Sequence, residues 1–234
     1  MQAFTWSDLQ HKTPERTLRG FFRCIHYTIK MVSLQDLQFS PFPVEYHQKG
    51  VMKMAYYHCS PIPGLTILEP RKPQSFDKPK SVYMTTSLPM ALMYGVRNFE
   101  YTYGYTREGQ IYYEEYFPNA LEILYRGKRA SLYLCAPEEV SATRIPNEAL
   151  SASAVSVISE TVIEDVCEAM LEQERLGSLV IHRYHELSQR KLEWIRKAEA
   201  DTIRQHDLLH TGGPMAEYMK RHYPESWAMA EAEL

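Results

Sequence analysis

The chain has 234 residues, of which 44% are hydrophobic and 24% are charged. The length suits one full-sized domain with appendages or two small domains, and the composition argues against a disordered chain. The formal net charge of −3 excludes a strongly basic protein that coats duplex nucleic acid. Four widely separated cysteines exclude a CxxC metal or redox pair, and no apolar run approaches the roughly 18 residues of a membrane span.

The first predicted element is an amphipathic helix at residues 13–30. Thr13 can cap it, and Pro14 occupies the first helical position, where a missing N–H costs nothing. Residues 39–49 contain two prolines and are interpreted as a linker. We therefore expect residues 1–50 to form a helical N-terminal appendage that precedes the main domain.

From Val51 the pattern changes to short strands and short helices. Strands are predicted at 51–60, 81–87, 130–136 and 178–184, with a tyrosine-rich hairpin at 99–117. Residues 147–158 are predicted to be a strand, or a turn followed by a strand. Helices are predicted at 88–95, 118–127 and 163–176. Strands and helices do not alternate regularly, and no GxGxxG follows a strand. The pattern therefore predicts an α+β domain at 51–184 rather than a doubly wound sheet.

The remainder of the chain, residues 185–234, is predicted to be a helical C-terminal extension. It contains a long charged helix at 187–208 and a shorter helix from Pro214 onwards. With isolated cysteines and no signal-like N-terminal pattern, we expect a cytoplasmic protein.

Three segments combine polar and aromatic side chains suited to chemistry. The first is His58-Cys59-Ser60 at the end of a strand. The second contains Tyr83 on a strand, with Tyr94 following after one short helix. The third, Asn147-Glu148-Ala149-Leu150, places a carboxylate at the start of a strand.

In this order, the three segments resemble the His-Tyr-Glu type of the ADP-ribosyltransferase superfamily, which includes the poly-ADP-ribose polymerases and diphtheria-like toxins. In that family one strand ends in His-Gly-Ser or His-Gly-Thr, and two tyrosines flank a helix. The interval from Tyr83 to Tyr94 equals the interval between the corresponding polymerase tyrosines, whose catalytic glutamate often lies in Asn-Glu-Tyr-hydrophobic. The resemblance covers residues 54–165. It implies an ADP-ribosyltransferase-like core of two small packed sheets around a cleft, with NAD as co-substrate.

The chain departs from the family pattern at three positions. Cys59 stands where the family has a glycine whose backbone contacts the nicotinamide amide, and Ala91 stands where polymerases have a serine. Ala149 replaces the aromatic residue after the glutamate. These departures keep a second interpretation open, a non-catalytic ligand-binding or protein-interaction module. An NAD-dependent RNA 2′-phosphotransferase is a further alternative, although it would need a denser arginine cluster.

The resemblance implies a role for each site residue. Breaking the nicotinamide–ribose bond leaves positive charge on the ribose, which the Glu148 carboxylate would stabilise. Tyr83 and Tyr94 would form two walls for the cationic nicotinamide ring. Hydrogen bonds to the adenosine ribose would come from His58 and Ser60, with Cys59 at the nicotinamide amide. The pyrophosphate would be neutralised by one or more of four cations: Arg71, Lys72, Lys78 and Lys80.

The expected reaction is transfer of ADP-ribose to a macromolecular acceptor, protein or nucleic acid, or hydrolysis of NAD. Other readings of polar residues are weaker. His206 and His210, with Asp207 between them, have a spacing that can bind a metal on one helix face, but a solvated face is expected instead. Adjacent strand residues face opposite sides, which disfavours a thiol nucleophile at Cys59 activated by His58 and a carboxylate pair at 114–115.

Overall fold

The computed structural model describes residues 45–48, 51–72 and 80–232. The strands are β1 (Glu45–Gln48), β2 (Val51–Met54), β3 (Tyr56–Ser60), β4 (Ile67–Leu68), β5 (Val82–Thr85), β6 (Tyr103–Tyr105), β7 (Ile111–Glu114), β8 (Ala130–Ala136), β9 (Ser141–Ala142), β10 (Glu148–Ser151), β11 (Val155–Ile163) and β12 (Val180–His182). The helices are α1 (Leu88–Tyr94), α2 (Ala120–Tyr125), α3 (Val166–Arg175), α4 (Gln189–Gln205), α5 (Leu208–Thr211), α6 (Pro214–His222) and α7 (Pro224–Ala232). The mixed α+β class predicted from the sequence is confirmed.

The largest sheet has seven antiparallel strands in the order β4-β11-β8-β3-β5-β10-β9. Successive side chains of a strand point to opposite faces. On β5, Thr85 Oγ1 donates to Met90 Sδ of α1 at 3.3 Å, so Thr85 and Tyr83 face α1. Val82 and Met84 are buried in a cluster on the opposite side. We call the side that contacts α1 the helix face and the other side the outer face.

A second sheet has three strands in the order β12-β7-β6, with β12 parallel to β7. Its β6–β7 hairpin confirms the one predicted at 99–117. Ile111, Tyr113 and Ile181 of this sheet share one hydrophobic core with Cys59 and Leu132 of the larger sheet. Apolar side chains of α1 and α3 complete that core. The two sheets are therefore packed together.

The C-terminal helices form a second core against the end of the β6–β7 hairpin and the start of α2. Phe117 and Ala120 pack there with Ile203, Met219 and Trp227. Burying such apolar surface is what holds an amphipathic helix onto a domain. Within the described residues, no helix combines the length and the apolarity required to cross a membrane.

Two buried carboxyl groups lie where the C-terminal helices meet the core. Glu100 Oε1 accepts hydrogen bonds from the hydroxyls of Tyr218, at 2.6 Å, and Tyr223. Burial raises the pKa of Glu100. Burial also raises the pKa of Glu199 on α4 to about 8, with a further contribution from the charge of Glu100. A carboxyl in this setting resists ionisation because charge is poorly solvated inside the protein.

The structure differs from the sequence-based assignment of secondary structure in several segments. The helix predicted from residue 163 begins at Val166, because β11 continues to Ile163 and Asp165 caps the helix by accepting from Glu168 N at 3.2 Å. The linker interpretation is wrong for residues 45–48, which form β1 paired with β2. The short strands β4 and β9 were not predicted. The amphipathic helix predicted at 13–30 lies outside the described residues.

Candidate active site

The predicted histidine, tyrosine and glutamate lie on three neighbouring strands of the large sheet. In the register, Thr85 of β5 is opposite Tyr57 of β3 and also opposite Glu148 of β10. Directly opposite residues in antiparallel strands project to the same face. Glu148 therefore projects to the helix face, as do Thr85 and Tyr83. Segments separated by about sixty residues meet at one point.

The turn before β10 presents Glu148 in a defined position. Asn147 has a left-handed backbone with φ of 63°, a conformation that asparagine tolerates better than most residues. Its carbonyl accepts from Thr86 N at 2.9 Å, and its Oδ1 accepts from Thr86 Oγ1 at 3.3 Å. The preceding carbonyl, of Pro146, accepts from the Tyr105 hydroxyl at 2.6 Å. These three bonds hold the carboxylate-bearing turn against β5 and the hairpin.

Four tyrosines lie close enough to Glu148 for its charge to affect them. Burial raises the pKa of Tyr83, Tyr94, Tyr103 and Tyr105, and the negative charge of Glu148 adds to each increase. The rings of Tyr94 and Tyr103 meet edge to face with centroids 6.1 Å apart, and their hydroxyls are 3.1 Å apart. Four neutral phenols thus lie in the neighbourhood of a carboxylate that is itself partly exposed.

Tyr83 has an unsatisfied hydroxyl. Its Oη is shielded from solvent and has no hydrogen-bond partner among the described residues. A buried polar group without a hydrogen-bond partner destabilises the folded protein, so such atoms are rare in folded proteins. The unpartnered Tyr83 Oη is therefore unusual, and it belongs to the strand that pairs with β10, which carries Glu148.

His58 departs from the expected arrangement around one hollow. Its neighbours Tyr57 and Cys59 pack in the core on the helix face, so the His58 ring lies on the outer face, stacked on Tyr133 with centroids 6.4 Å apart. The structure thus separates the His58 ring from the side chains of Tyr83 and Glu148.

His58 nevertheless contacts the Tyr83 backbone. Its Nδ1 is 2.9 Å from the Tyr83 carbonyl oxygen, and because a carbonyl can only accept, Nδ1 carries the proton. Burial lowers the pKa of His58, and the positive charge of Arg71 lowers it further, against the opposing effect of this hydrogen bond. The imidazole is therefore neutral at pH 7, and its Nε2 is an acceptor.

Cys59 and Ser60 follow on β3 with different surroundings. The Cys59 side chain is buried in the core, and burial raises the pKa of its thiol to about 12. A thiol nucleophile needs a lowered pKa, so the structure gives Cys59 no such activation. Ser60 is buried at the end of the strand, where its Oγ accepts from Ile62 N at 3.2 Å.

Of the candidate pyrophosphate cations, only some lie within the described residues. Arg71 is exposed, and its backbone bridges to Ser81 through N···O distances of 3.1 and 3.0 Å. This bridge places Arg71 opposite Ser81, the residue before β5, where the charge of Arg71 reaches His58. Lys72 and Lys80 are also exposed, whereas Lys78 lies outside the described residues.

The metal interpretation of His206 and His210 finds no support in the described residues. Helix α4 ends at Gln205, and Asp207 has a left-handed backbone with φ of 50°, so the two histidines do not share a continuous helix. His210 Nδ1 bonds Asp207 Oδ1 at 2.6 Å. The part of the chain that the structure describes contains no group of three potential metal ligands.

Sequence reasoning singled out neither Tyr103 and Tyr105 nor the partners of Asn147. A tyrosine-rich hairpin was predicted at 99–117, but alternation along a strand does not say which tyrosine meets a residue forty positions away. Thr86 had no sequence signal. Its role follows from its place directly after β5, opposite the turn at Asn147.

The chain was also compared with known proteins. No protein-family model matches it, and no curated protein matches it significantly.

Proposed function

We propose that the protein is an NAD-dependent ADP-ribosyltransferase, which transfers ADP-ribose to a macromolecular acceptor or to water with release of nicotinamide. The observation that carries this proposal is the placement of Glu148. Its carboxylate projects from a strand paired with the Tyr83 strand, on the same face, among partly buried tyrosines. The proposal includes the fold, an ADP-ribosyltransferase-like core.

The carboxylate supplies the charge that this reaction requires. NAD contributes a nicotinamide–ribose bond whose cleavage leaves positive charge on the ribose. Glu148 would stabilise that charge electrostatically and orient a ribose hydroxyl by accepting its hydrogen bond. The nearby phenols carry no charge of their own, so they leave the carboxylate as the charged group of this region. Removing one such preorganised group from an enzyme typically lowers kcat by about 100- to 1,000-fold.

The tyrosines fit a flat cationic ring. Aromatic faces attract cations by about 0.5–2 kcal/mol, depending on desolvation, and Tyr83 and Tyr94 lie on adjacent elements beside Glu148. The unpartnered Tyr83 hydroxyl is available for a hydrogen bond to the same ligand. An orphaned buried donor in a polar and aromatic site is what a missing ligand would satisfy.

His58 has a supporting role in this proposal rather than a contact with NAD. It holds the Tyr83 carbonyl through Nδ1 and so helps to position β5. Ser60 alternates to the same face as His58, so no contact between Ser60 and NAD is proposed. Arg71, exposed near His58, would neutralise a phosphate. Because the ring lies on the outer face, His58 acts on Tyr83 through the backbone of β5 rather than through the side chain.

Release of nicotinamide tests the proposal. The protein is incubated with NAD, and free nicotinamide is measured for wild type, Glu148→Gln and the control Glu138→Gln, which changes an exposed carboxylate after β8. We expect release by wild type and the control, and a loss of about 100-fold or more in Glu148→Gln. Equal release by wild type and Glu148→Gln would refute the role of Glu148.

A non-catalytic binding module is the second candidate, because of the surroundings of Cys59. Cys59 stands at the position where the family has a glycine, so its side chain fills space that is empty in the family. Its Sγ packs so close to Gly95 that a Cβ added to Gly95 would lie 2.6 Å from it. This candidate predicts that NAD raises the melting temperature but that no nicotinamide is released. Any ligand that binds only the folded state raises the melting temperature in this way. Release by wild type would exclude it.

We further propose a cytoplasmic location and an acceptor that is a protein or a nucleic acid. Three cysteines within the described residues, Cys59, Cys135 and Cys167, are free and buried. Free thiols are typical of a reducing compartment, where disulfides do not persist.

A further inference from the structure

A groove lies beyond the C-terminal end of β3. It has a volume of about 680 Å³ and is lined by the segments that follow β3 and α1, by the end of α2 and the turn after it, and by one residue of α6. The volume is within the range of roughly 300–1,000 Å³ typical of small-molecule sites. We call it the basic groove and define it by five of its side chains: Arg97, Phe99, Lys128, Arg129 and Tyr218.

The charged side chains of the basic groove all have one sign. Arg97, Lys128 and Arg129 line it, and no Asp or Glu is found among the described residues that do so. Arg129 pairs with Glu164 at 3.1 Å, but both side chains are largely exposed, and such pairs contribute little. In a chain whose formal net charge is −3, this composition is complementary to an anion.

The positions of two cations have a partial local explanation. Lys128 and Arg129 follow the end of α2, and cations near a helix C-terminus are stabilised by the helix dipole. That effect is small for a helix of six residues, and it does not account for Arg97 on a separate loop. Convergence of three cations from two segments onto one groove is better explained by a ligand.

Two aromatic rings form another part of the groove. Phe99 and Tyr218 have ring centroids 5.0 Å apart at an interplanar angle of 45°. The Tyr218 hydroxyl donates to the buried Glu100 at 2.6 Å, which fixes the position of its ring. Partly exposed rings beside cations are the combination that binds a flat base next to a phosphate.

The basic groove is distinct from the site around Glu148. Tyr57 marks the level of Glu148 on the sheet, because both pair with Thr85. Ser60 ends β3 three residues later, about 10 Å along the strand at roughly 3.3 Å per residue. The groove begins beyond Ser60, at Pro61.

We infer that the basic groove is a second ligand site, which binds a nucleoside phosphate independently of NAD. Lys128 and the two arginines hold the phosphate, and the Phe99 and Tyr218 rings hold the base. The inference goes beyond the proposed function and does not depend on it.

Calorimetric titration with guanosine monophosphate, and separately with inorganic phosphate, tests this inference. Guanosine monophosphate has a base and a phosphate but is not a part of NAD. We expect saturable binding to wild type at one site, weaker by about tenfold or more in Lys128→Glu, since one cation is replaced by a repelling charge. Arg107→Glu, the same kind of change in the exposed hairpin turn, should leave the affinity within about twofold, because its charge is screened.

Two further variants separate the parts of the inference. Phe99→Leu should lower the affinity for guanosine monophosphate by about fivefold or more, because a stacking contact with the base is lost. The affinity for phosphate should not change. Tyr83→Phe should leave the binding of guanosine monophosphate unchanged, and Lys128→Glu should leave nicotinamide release unchanged. Failure of the NAD proposal is therefore distinguishable from failure of the inference about the basic groove. The inference would be overturned if guanosine monophosphate showed no saturable binding, or if phosphate and the nucleotide bound with equal affinity. It would also be overturned if binding responded to Tyr83→Phe and not to Lys128→Glu.

Discussion

The contact between Gly95 and Cys59 makes a quantitative prediction about packing under α1. Gly95 follows α1 with φ of −67° and ψ of −19°, so alanine can adopt its backbone without strain. A Cβ at this position would lie 2.6 Å from Cys59 Sγ, 3.1 Å from Ala130 Cβ and 3.1 Å from Leu92 O. The substitution Gly95→Ala therefore tests crowding by side chains rather than backbone conformation.

The expected magnitude follows from two opposing effects. Overpacking a filled core destabilises by about 1–3 kcal/mol, while replacing a helical glycine by alanine stabilises by roughly 0.5–1 kcal/mol. We expect a net loss of about 0.5–2 kcal/mol in the free energy of unfolding for Gly95→Ala. In a Cys59→Ala background the shortest contact disappears, so the loss should shrink or change sign, with a coupling energy of about 1–2 kcal/mol.

Urea unfolding of wild type, both single variants and the double variant measures this coupling as a double-mutant cycle. Cys135→Ala is the matched control, because Cys135 is equally buried but packs in the cluster on the outer face. Gly95→Ala and Cys135→Ala should be additive within about 0.5 kcal/mol. Additivity of Gly95→Ala with Cys59→Ala would refute the reasoning and remove the packing explanation for a cysteine at this position.

Three other predictions concern Asn147, Tyr105 and Glu199. Asn147→Ala should lower stability by about 1–2 kcal/mol because alanine is strained at positive φ, whereas Asn147→Gly should lose less; thermal melts of both variants check this, and equal losses would contradict it. Tyr105→Phe removes the bond to the Pro146 carbonyl and should lower kcat for nicotinamide release by about tenfold with little change in KM for NAD, an effect that steady-state kinetics separates from weaker binding. Because burial raises the pKa of Glu199 from 4.5 to about 8, the stability associated with its neutral form is complete below pH 4.5 and is lost as the pH rises to about 8. Urea unfolding across that window should show the free energy of unfolding of wild type falling by about 1.4 kcal/mol per pH unit relative to that of Glu199→Gln. Parallel pH profiles of the free energy of unfolding for the two proteins would contradict this.

Local features of the chain were sufficient for most elements of the core. The strand predicted at 130–136 is β8 with the same bounds, because a run of apolar and aromatic residues between turn residues has few other conformations. The helix predicted at 88–95 is α1, whose Ser87 accepts from Met90 N at 3.4 Å and whose Pro89 lies in the first turn. Capping and proline placement are local effects that can be read from neighbouring residues.

Partner choice between strands was not readable in the same way. Nothing within residues 147–158 indicates that β10 pairs with β5 rather than with β8, because antiparallel pairing depends on apolar faces that many strands share. The resemblance supplied an order of motifs, and it placed Glu148 and Tyr83 in one site. It did not predict that the ring of His58 lies on the outer face.

The sequence by itself determined most of the strands and helices in the core, and which side chains bear a carboxylate or a phenol. The tertiary structure alone decided which of those side chains meet. It paired Glu148 with Thr85, aimed the Tyr105 hydroxyl at the carbonyl of Pro146, and closed the basic groove between α2 and α6. The reason is physical: secondary structure follows from interactions within a few residues, whereas a site follows from contacts between distant segments that form only when a shared apolar core is buried.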